Sequence, residues 1–377
     1  MSAPPSHDLC ALAGRCGGCP WIHRAMPEQI SSRLDALAAL WAEVGLPEAD
    51  LREVAVHEVG DRAVRDKVDL SLRRDEGGVA LGLRGLGDGG IVDQPACPLL
   101  TPPLQAWVDL IRQDLPPVPR ASLRLRVAPD GARGLWLDTA NVTIKALLDE
   151  GDWLRRALDQ GAIELGQRWK RVVLEDGRPR LRDPQLYPWF ETWVGAELTA
   201  APLYSAIGGF SQSGLASNRV LVRRVRDAIA RTGARRWVEL GCGSGNLTLP
   251  LAAEVERVMA IDIDPLALAG LSRSAAELGL SERVTVARAS LTGGALPWLE
   301  GADGALVDPP RSGLGPAVAA LAHHAPAWVL YVSCDAGSLV TDLRALADAG
   351  YRVARIEGVD QFPHSPHGEW VALLQMG

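Results

Sequence analysis

Asp308-Pro309-Pro310-Arg311-Ser312-Gly313, then fifteen residues, then Val329-Leu330-Tyr331-Val332-Ser333-Cys334-Asp335: two apolar runs in this stretch each end in polar residues. The first run, Gly304 to Val307, stops at Asp308; the second, Ala327 to Val332, stops at Ser333-Cys334-Asp335. Short apolar runs without alternation read as parallel strands buried on both faces. In open α/β sheets the ligand crevice lies at the C-terminal tips of such strands. Asp308 and Cys334 are therefore placed for chemistry, although a lone cysteine is often only a small core residue.

Upstream of this stretch the second half of the chain alternates between strand and helix patterns. A helix is expected over 215–232, a strand over 236–240, a helix from Asn246, a strand over 258–261, a helix over 265–278 and a strand over 284–287. A helix follows each of the strands ending at Asp308 and Cys334, and two strands close the chain. The regular alternation predicts a doubly wound sheet with right-handed crossovers. Its first turn is Glu239-Leu240-Gly241-Cys242-Gly243-Ser244-Gly245-Asn246. Glycines there let a ligand approach the backbone closely. About twenty residues on, Asp262 ends the second strand, where an acid can accept hydrogen bonds from both ribose hydroxyls. Dinucleotide and S-adenosylmethionine folds share this pair of features. The glycine pattern here is not G-x-G-x-x-G, and Asp262-Ile263-Asp264-Pro265 resembles the S-adenosylmethionine-dependent methyltransferases.

The first half reads differently. A helix is expected over 27–44 from the spacing of Ile30, Leu34, Leu37, Leu40 and Trp41. Alternating segments around Val68-Leu70-Leu72 and Val79-Leu81-Leu83 predict antiparallel strands. A helix near 101–113, strands over 122–127 and 134–137 and a helix over 151–160 complete an α+β module. Arg65, Lys67, Arg73, Arg74 and Arg84 make it locally basic, suited to phosphates or to a solvated strand face. A single division at 202/203 is expected, with an α+β module over 1–202 and the doubly wound domain over 203–377.

The six cysteines do not suggest a disulfide framework in so long a chain. Cys10, Cys16 and Cys19 form C-x5-C-x2-C, and Cys97 sits between prolines in Gln94-Pro95-Ala96-Cys97-Pro98. Four thiolates, three local and one distant, suit tetrahedral zinc or an iron–sulfur cluster. Zinc sites usually carry two C-x2-C pairs; the single pair here favours the cluster. The formal charge of −7 argues against a protein that coats nucleic acid, while leaving room for a local RNA-binding patch. No apolar run is long enough to span a bilayer and no signal pattern opens the chain, so a cytoplasmic protein is expected.

Together these features resemble the RNA uracil-5-methyltransferases that carry a [4Fe-4S] cluster. The DPPRSG segment and VLYVSC resemble the family's nucleophile signature. Phe210-Ser211-Gln212 is similar to its F-x-Q, Val64-Arg65-Asp66-Lys67 to its R-N-K, and Phe362-Pro363-His364-Ser365-Pro366-His367-Gly368-Glu369 to its F-P-x-T-x-H-x-E. The opening CALAGRCGGCPWI with Pro27-Glu28-Gln29 is most like the RlmC-type branch, which modifies 23S ribosomal RNA and lacks an oligonucleotide-binding barrel ahead of the cysteines. The sequence departs from the family pattern at Asp335 and Ser338, where S-C-N-x-x-T is usual, and at Gly214, where Asn is typical.

The resemblance implies 5-methyluridine formation in RNA, in ribosomal rather than transfer RNA, by a monomer. It implies Cys334 as nucleophile and Glu369 as general base. Gln212, Gly241, Asp262 and Asp308 are implied at the S-adenosylmethionine site, and Cys10, Cys16, Cys19 and Cys97 at the [4Fe-4S] cluster. Three alternatives remain: a transfer RNA enzyme, a DPP-type methyltransferase with another target, which would not need Cys334 or Glu369, and a non-catalytic RNA-binding factor.

Overall fold

In a computed structural model, which describes residues 9–47, 51–87, 89–139, 144–291 and 296–377, the chain forms two compact units that interleave along the sequence. One comprises residues 1–25, 60–190 and 205–215; the other comprises 26–59, 191–204 and 216–377. The chain thus crosses between units several times instead of once near 202.

The chain begins with α1 (Met26–Glu43) and β1 (Val56–His57), both in the second unit. The first unit then holds β2 (Lys67–Asp75), β3 (Gly78–Arg84), β4 (Ile91–Asp93), α2 (Pro102–Gln113), β5 (Arg120–Val127) and β6 (Arg133–Asp138). It continues with α3 (Ile144–Glu150), α4 (Asp152–Leu158), β7 (Ala162–Leu165), β8 (Lys170–Glu175) and β9 (Arg178–Arg182). These strands form a sheet in the order β4-β3-β2-β5-β6-β7-β8-β9, antiparallel throughout except where β6 meets β7. That one parallel step needs a crossover, which α3 and α4 supply. Alternation along β2 buries Val68, Leu70 and Leu72 against Leu104, Trp107 and Leu154. Trp107 is fully buried, and its indole N–H donates to the Gly134 carbonyl at 3.1 Å, which removes the cost of burying the ring nitrogen. A hairpin of β10 (Tyr187–Val194) and β11 (Thr199–Ser205) follows.

The second unit continues with α5 (Leu215–Ile229), β12 (Arg236–Leu240), α6 (Thr248–Glu254), β13 (Arg257–Asp262), α7 (Pro265–Glu277) and β14 (Val284–Arg288). Then come β15 (Gly304–Val307), α8 (Ala317–His324), β16 (Trp328–Ser333), α9 (Ala336–Asp348), β17 (Tyr351–Val359) and β18 (Glu369–Met376). The sheet order is β1-β17-β18-β16-β15-β12-β13-β14. Every neighbouring pair is parallel except those made by β18, which runs antiparallel to both β16 and β17. The apolar runs over β15 and β16 are the buried central strands: Ala305, Leu306, Val307 and Val329 to Val332 are all fully buried. Helix starts follow local chemistry. Asp264 caps α7 by accepting from the Leu266 N–H, and Pro265 occupies the first helical position, where its missing N–H costs nothing. Among the described residues no helix is long and apolar enough to cross a membrane.

Candidate active site

Four strand ends of the second unit's sheet meet at one edge. Leu240 pairs with Val307, and Val307 with Tyr331, so the tips of β12, β15 and β16 lie side by side. Because β18 is antiparallel, its first residue, not its last, reaches the same edge: Ser333 pairs with Trp370, and Val359 with Glu369. Asp308, Cys334 and Glu369 therefore converge from three adjacent strands.

Their surroundings set their chemistry. Glu369 is buried, and its Oε2 accepts from Gln361 Nε2 at 3.0 Å. Burial pushes its carboxyl well above the usual carboxylate range, and the Asp308 charge adds to the effect. Burial likewise lifts Asp308, to about 7. The Cys334 thiol is half-buried; burial raises it first, then the Glu369 charge, while the Arg311 guanidinium, which hydrogen-bonds to it, pulls it back down.

The loop carrying Arg311 is pinned from α9. Asp342 Oδ2 accepts both the Tyr331 hydroxyl at 2.6 Å and the Leu314 N–H at 2.7 Å. Gly313 passes this carboxylate at φ +80°, and a Cβ there would meet Asp342 Oδ2 at 2.6 Å, so the glycine of DPPRSG is required by space as well as by conformation. The unusual Asp335 and Ser338 also have a local account. Asp335 is the N-cap of α9, accepting the Ser338 N–H at 2.9 Å, and Ser338 Oγ donates back to the Asp335 carbonyl at 3.3 Å. Aspartate serves as well as asparagine in that role.

At the β12 tip the glycine turn takes left-handed conformations at Gly241, Gly243 and Gly245, with φ of +82°, +52° and +95°. Asp262 holds the turn: its Oδ2 accepts the Gly243 N–H and its Oδ1 the Asp264 N–H, both at 2.8 Å. A carboxylate offers about four acceptor positions, so two of these contacts leave capacity for a ribose. Glu239, buried on β12 just below the turn, escaped the sequence reading because nothing in its spacing sets it apart from the glycine motif that follows it. Gln212 belongs to the other unit, where it is buried. Two residues on, a Cβ at Gly214 would stand 1.8 Å from the Val64 carbonyl oxygen, which explains why glycine replaces the family's asparagine there.

In the first unit Cys10, Cys16, Cys19 and Cys97 line one small cavity with Ile22 and Arg65. Among the described residues no group of three or more His, Cys, Asp and Glu side chains is drawn together as ligands of one metal ion. The thiols instead stand around a shared space. Burial pushes Cys19 up to about 12, with Cys97 adding to the shift and the Arg65 guanidinium opposing it.

Comparison with known proteins agrees with this geometry. Residues 301–376 match the family described as tRNA (Uracil-5-)-methyltransferase, and residues 238–304 match a general methyltransferase domain. An uncharacterized RNA methyltransferase of Bdellovibrio bacteriovorus is 37% identical over 97% of this chain and 95% of its own length. The 23S rRNA (uracil(1939)-C(5))-methyltransferase RlmD of Pseudomonas fluorescens is 31% identical over 97% of this chain and 80% of its own. The RlmD of Chromohalobacter salexigens is 30% identical over 97% of this chain and 75% of its own; these two relatives carry the RlmD name, whereas the cysteine segment suggested the RlmC type. The crystal structure of Pyrococcus abyssi tRNA (uracil-54, C5)-methyltransferase with S-adenosyl-L-homocysteine shares the fold at a TM-score of 0.69 and 19% identity, covering 99% of this chain and 87% of that one. The chain belongs to the RNA uracil-5-methyltransferase family and is an S-adenosylmethionine-dependent RNA (uracil-C5) methyltransferase.

Proposed function

We infer that the enzyme methylates a uridine of 23S ribosomal RNA through a covalent adduct between Cys334 and uracil C6. The observation that carries this reading is the convergence of Cys334, Asp308 and Glu369 on one sheet edge, with Gln361 holding the Glu369 carboxylate. Uracil C5 is too weak a nucleophile to accept an alkyl group unaided. The Cys334 thiolate adds to C6, and the electron pair pushed onto the ring makes C5 carbanion-like. S-adenosylmethionine, when bound, supplies an electrophilic methyl group. Glu369 then takes the C5 proton, the C5–C6 double bond re-forms and the C6–S bond breaks, returning the thiolate. Burial raises this carboxyl, and a carboxylate of raised pKa is a stronger base than an ordinary one. Asp262 and Gly241 would hold the cofactor, and Asp308 would orient the reacting groups; the F-x-Q resemblance gives Gln212 a cofactor role as well.

Ribosomal RNA is favoured over transfer RNA by the RlmD relatives. Arg73, Arg84 and Arg120 line an open groove of about 670 Å³ in the first unit, suited to RNA phosphates. Cys10, Cys16, Cys19 and Cys97 line one cavity, and four thiols are the donor set that a [4Fe-4S] cluster takes. Such a cluster would hold its loops together and take no part in methyl transfer.

Nucleoside analysis of RNA from a deletion strain should show 5-methyluridine lost from 23S ribosomal RNA and restored by the wild-type gene. Loss from transfer RNA alone would overturn the substrate assignment. Restoration by Cys334→Ala would overturn the mechanism.

A further inference from the structure

The buried side chains of α1 recur every four residues: Gln29, Arg33, Leu37 and Trp41. Leu37 and Trp41 are ordinary core. Gln29 and Arg33 are not, for an amide and a guanidinium only 0% and 3% exposed are costly unless partnered. Both are met by the segment that leads to Glu369. Gln29 Oε1 accepts the His364 N–H at 2.7 Å, and Gln29 Nε2 lies 3.1 Å from His364 Nδ1. Arg33 donates from Nε and Nη2 to the Ser365 carbonyl, at 3.1 and 2.8 Å, and from Nη2 to the Phe362 carbonyl at 3.2 Å. Its Nη1 pairs with Asp360 at 3.0 Å, where both side chains are almost wholly buried.

The segment so held is bent into an unusual shape. His364 sits at φ +64°, a left-handed conformation that a non-glycine residue keeps only where its surroundings impose it. Between Asp360 and Phe362, both bound to Arg33, lies Gln361, whose amide donates to Glu369 Oε2. A continuous set of contacts therefore runs from α1 through the 360–365 segment to the carboxylate.

We propose that Gln29 and Arg33 are positioning residues for C5 deprotonation: α1 fixes the 360–365 segment in the shape that lets Gln361 aim Glu369. The inference rests on Glu369 being the base. It makes the two halves of the reaction separable, because the backbone of Cys334 is carried between β16 and α9 and not by this segment.

The test uses purified full-length enzyme, RNA substrate and methyl-labelled cofactor, and measures the denaturation-resistant adduct that carries both RNA and label. Glu369→Gln is the reference and should trap this adduct. Arg33→Ala and Gln29→Ala should lower kcat and raise the trapped fraction by roughly tenfold over wild type, part of the range a general base supplies. Arg33→Lys, which keeps the charge, should restore turnover in part. Gln361→Ala leaves the α1 contacts intact and cuts only the last link; it should trap adduct as well, and it keeps the test available if Arg33→Ala fails to fold. If Glu369→Gln traps adduct while the Arg33, Gln29 and Gln361 variants lose turnover without trapping, α1 is only structural and the inference is overturned. If Glu369→Gln does not trap, the base assignment fails and takes the inference with it.

Discussion

Cys334 works against its surroundings. Burial and the Glu369 carboxylate hold its thiol protonated, and Arg311 is the group that opposes them. In the proposed mechanism the nucleophile is the Cys334 thiolate, so adduct formation should rise with pH through the raised Cys334 pKa. Arg311→Gln removes the lowering influence, so the profile should move to higher pH, with slower alkylation of Cys334 at neutral pH. Iodoacetamide labelling across a pH series, read by mass spectrometry, checks this; an unmoved profile would remove Arg311 from the account. At this scale the sequence was most legible where residues end strands. Asp308 and Cys334 close apolar runs, and apolar runs are what sequence patterns reveal; Glu369 was marked only by the resemblance of 362–369 to the family's F-P-x-T-x-H-x-E. Gln29 and Arg33 escaped because a polar residue on an amphipathic helix looks like its wet face. Only their four-residue phase with Leu37 and Trp41 marked them, and the helix reading used Leu37 and Trp41 with Ile30, Leu34 and Leu40 without following that phase back to Gln29 and Arg33.

Among the elements, β12 carries a hidden titration. Burial pushes the Glu239 carboxyl up to about 8 from its ordinary 4.5, and Asp308 and Asp262 add to the shift. A carboxyl raised on folding binds its proton more tightly in the native state. Its contribution to stability is thus fully present below the unfolded pKa and lost as pH rises through about 8. Between these limits it accounts for a fall of up to about 1.4 kcal/mol per pH unit. Glu239→Gln should flatten the dependence of cofactor-free stability on pH, as urea unfolding across that window would measure. A slope equal to the wild type would mean that Glu239 is already ionised in the native state. Strands and helices of this domain matched the alternation of patterns within about three residues, since burial of the central strands on both faces forces continuous apolar runs. Two features were beyond that logic. Strand direction leaves no mark on hydrophobicity, so the antiparallel β18 could not be told from a parallel strand. The two residues of β1 are too few to show any period.

The molecule as a whole is divided less simply than a boundary at 202 would suggest. Segment 26–59, close in sequence to the cysteines, belongs to the catalytic unit, and 205–215 belongs to the other. Long-range packing of this kind has no local signature. The cysteine set, by contrast, was legible because prolines and glycines around Cys97 and Cys16 announce loops where liganding thiols usually stand. Anaerobically purified protein should contain about four irons per chain, as a four-thiolate cubane requires. Cys97→Ser should lose most of that iron and the visible absorption with it, measured by metal analysis beside ultraviolet–visible spectra. Stoichiometric zinc without iron would replace the cluster with a tetrahedral ion.

The place of β18 between β16 and β17 has a consequence for biosynthesis. A nascent chain emerges from its N-terminus, and domains generally fold as they appear. Here α1 and β1 are among the earliest elements made, yet their partners lie in 351–365. Until β18 is made, the sheet lacks the strand that joins β17 to β16. Under the proposed mechanism a chain interrupted before β18 lacks both the Glu369 carboxylate and the strand that carries it, and should form no 5-methyluridine.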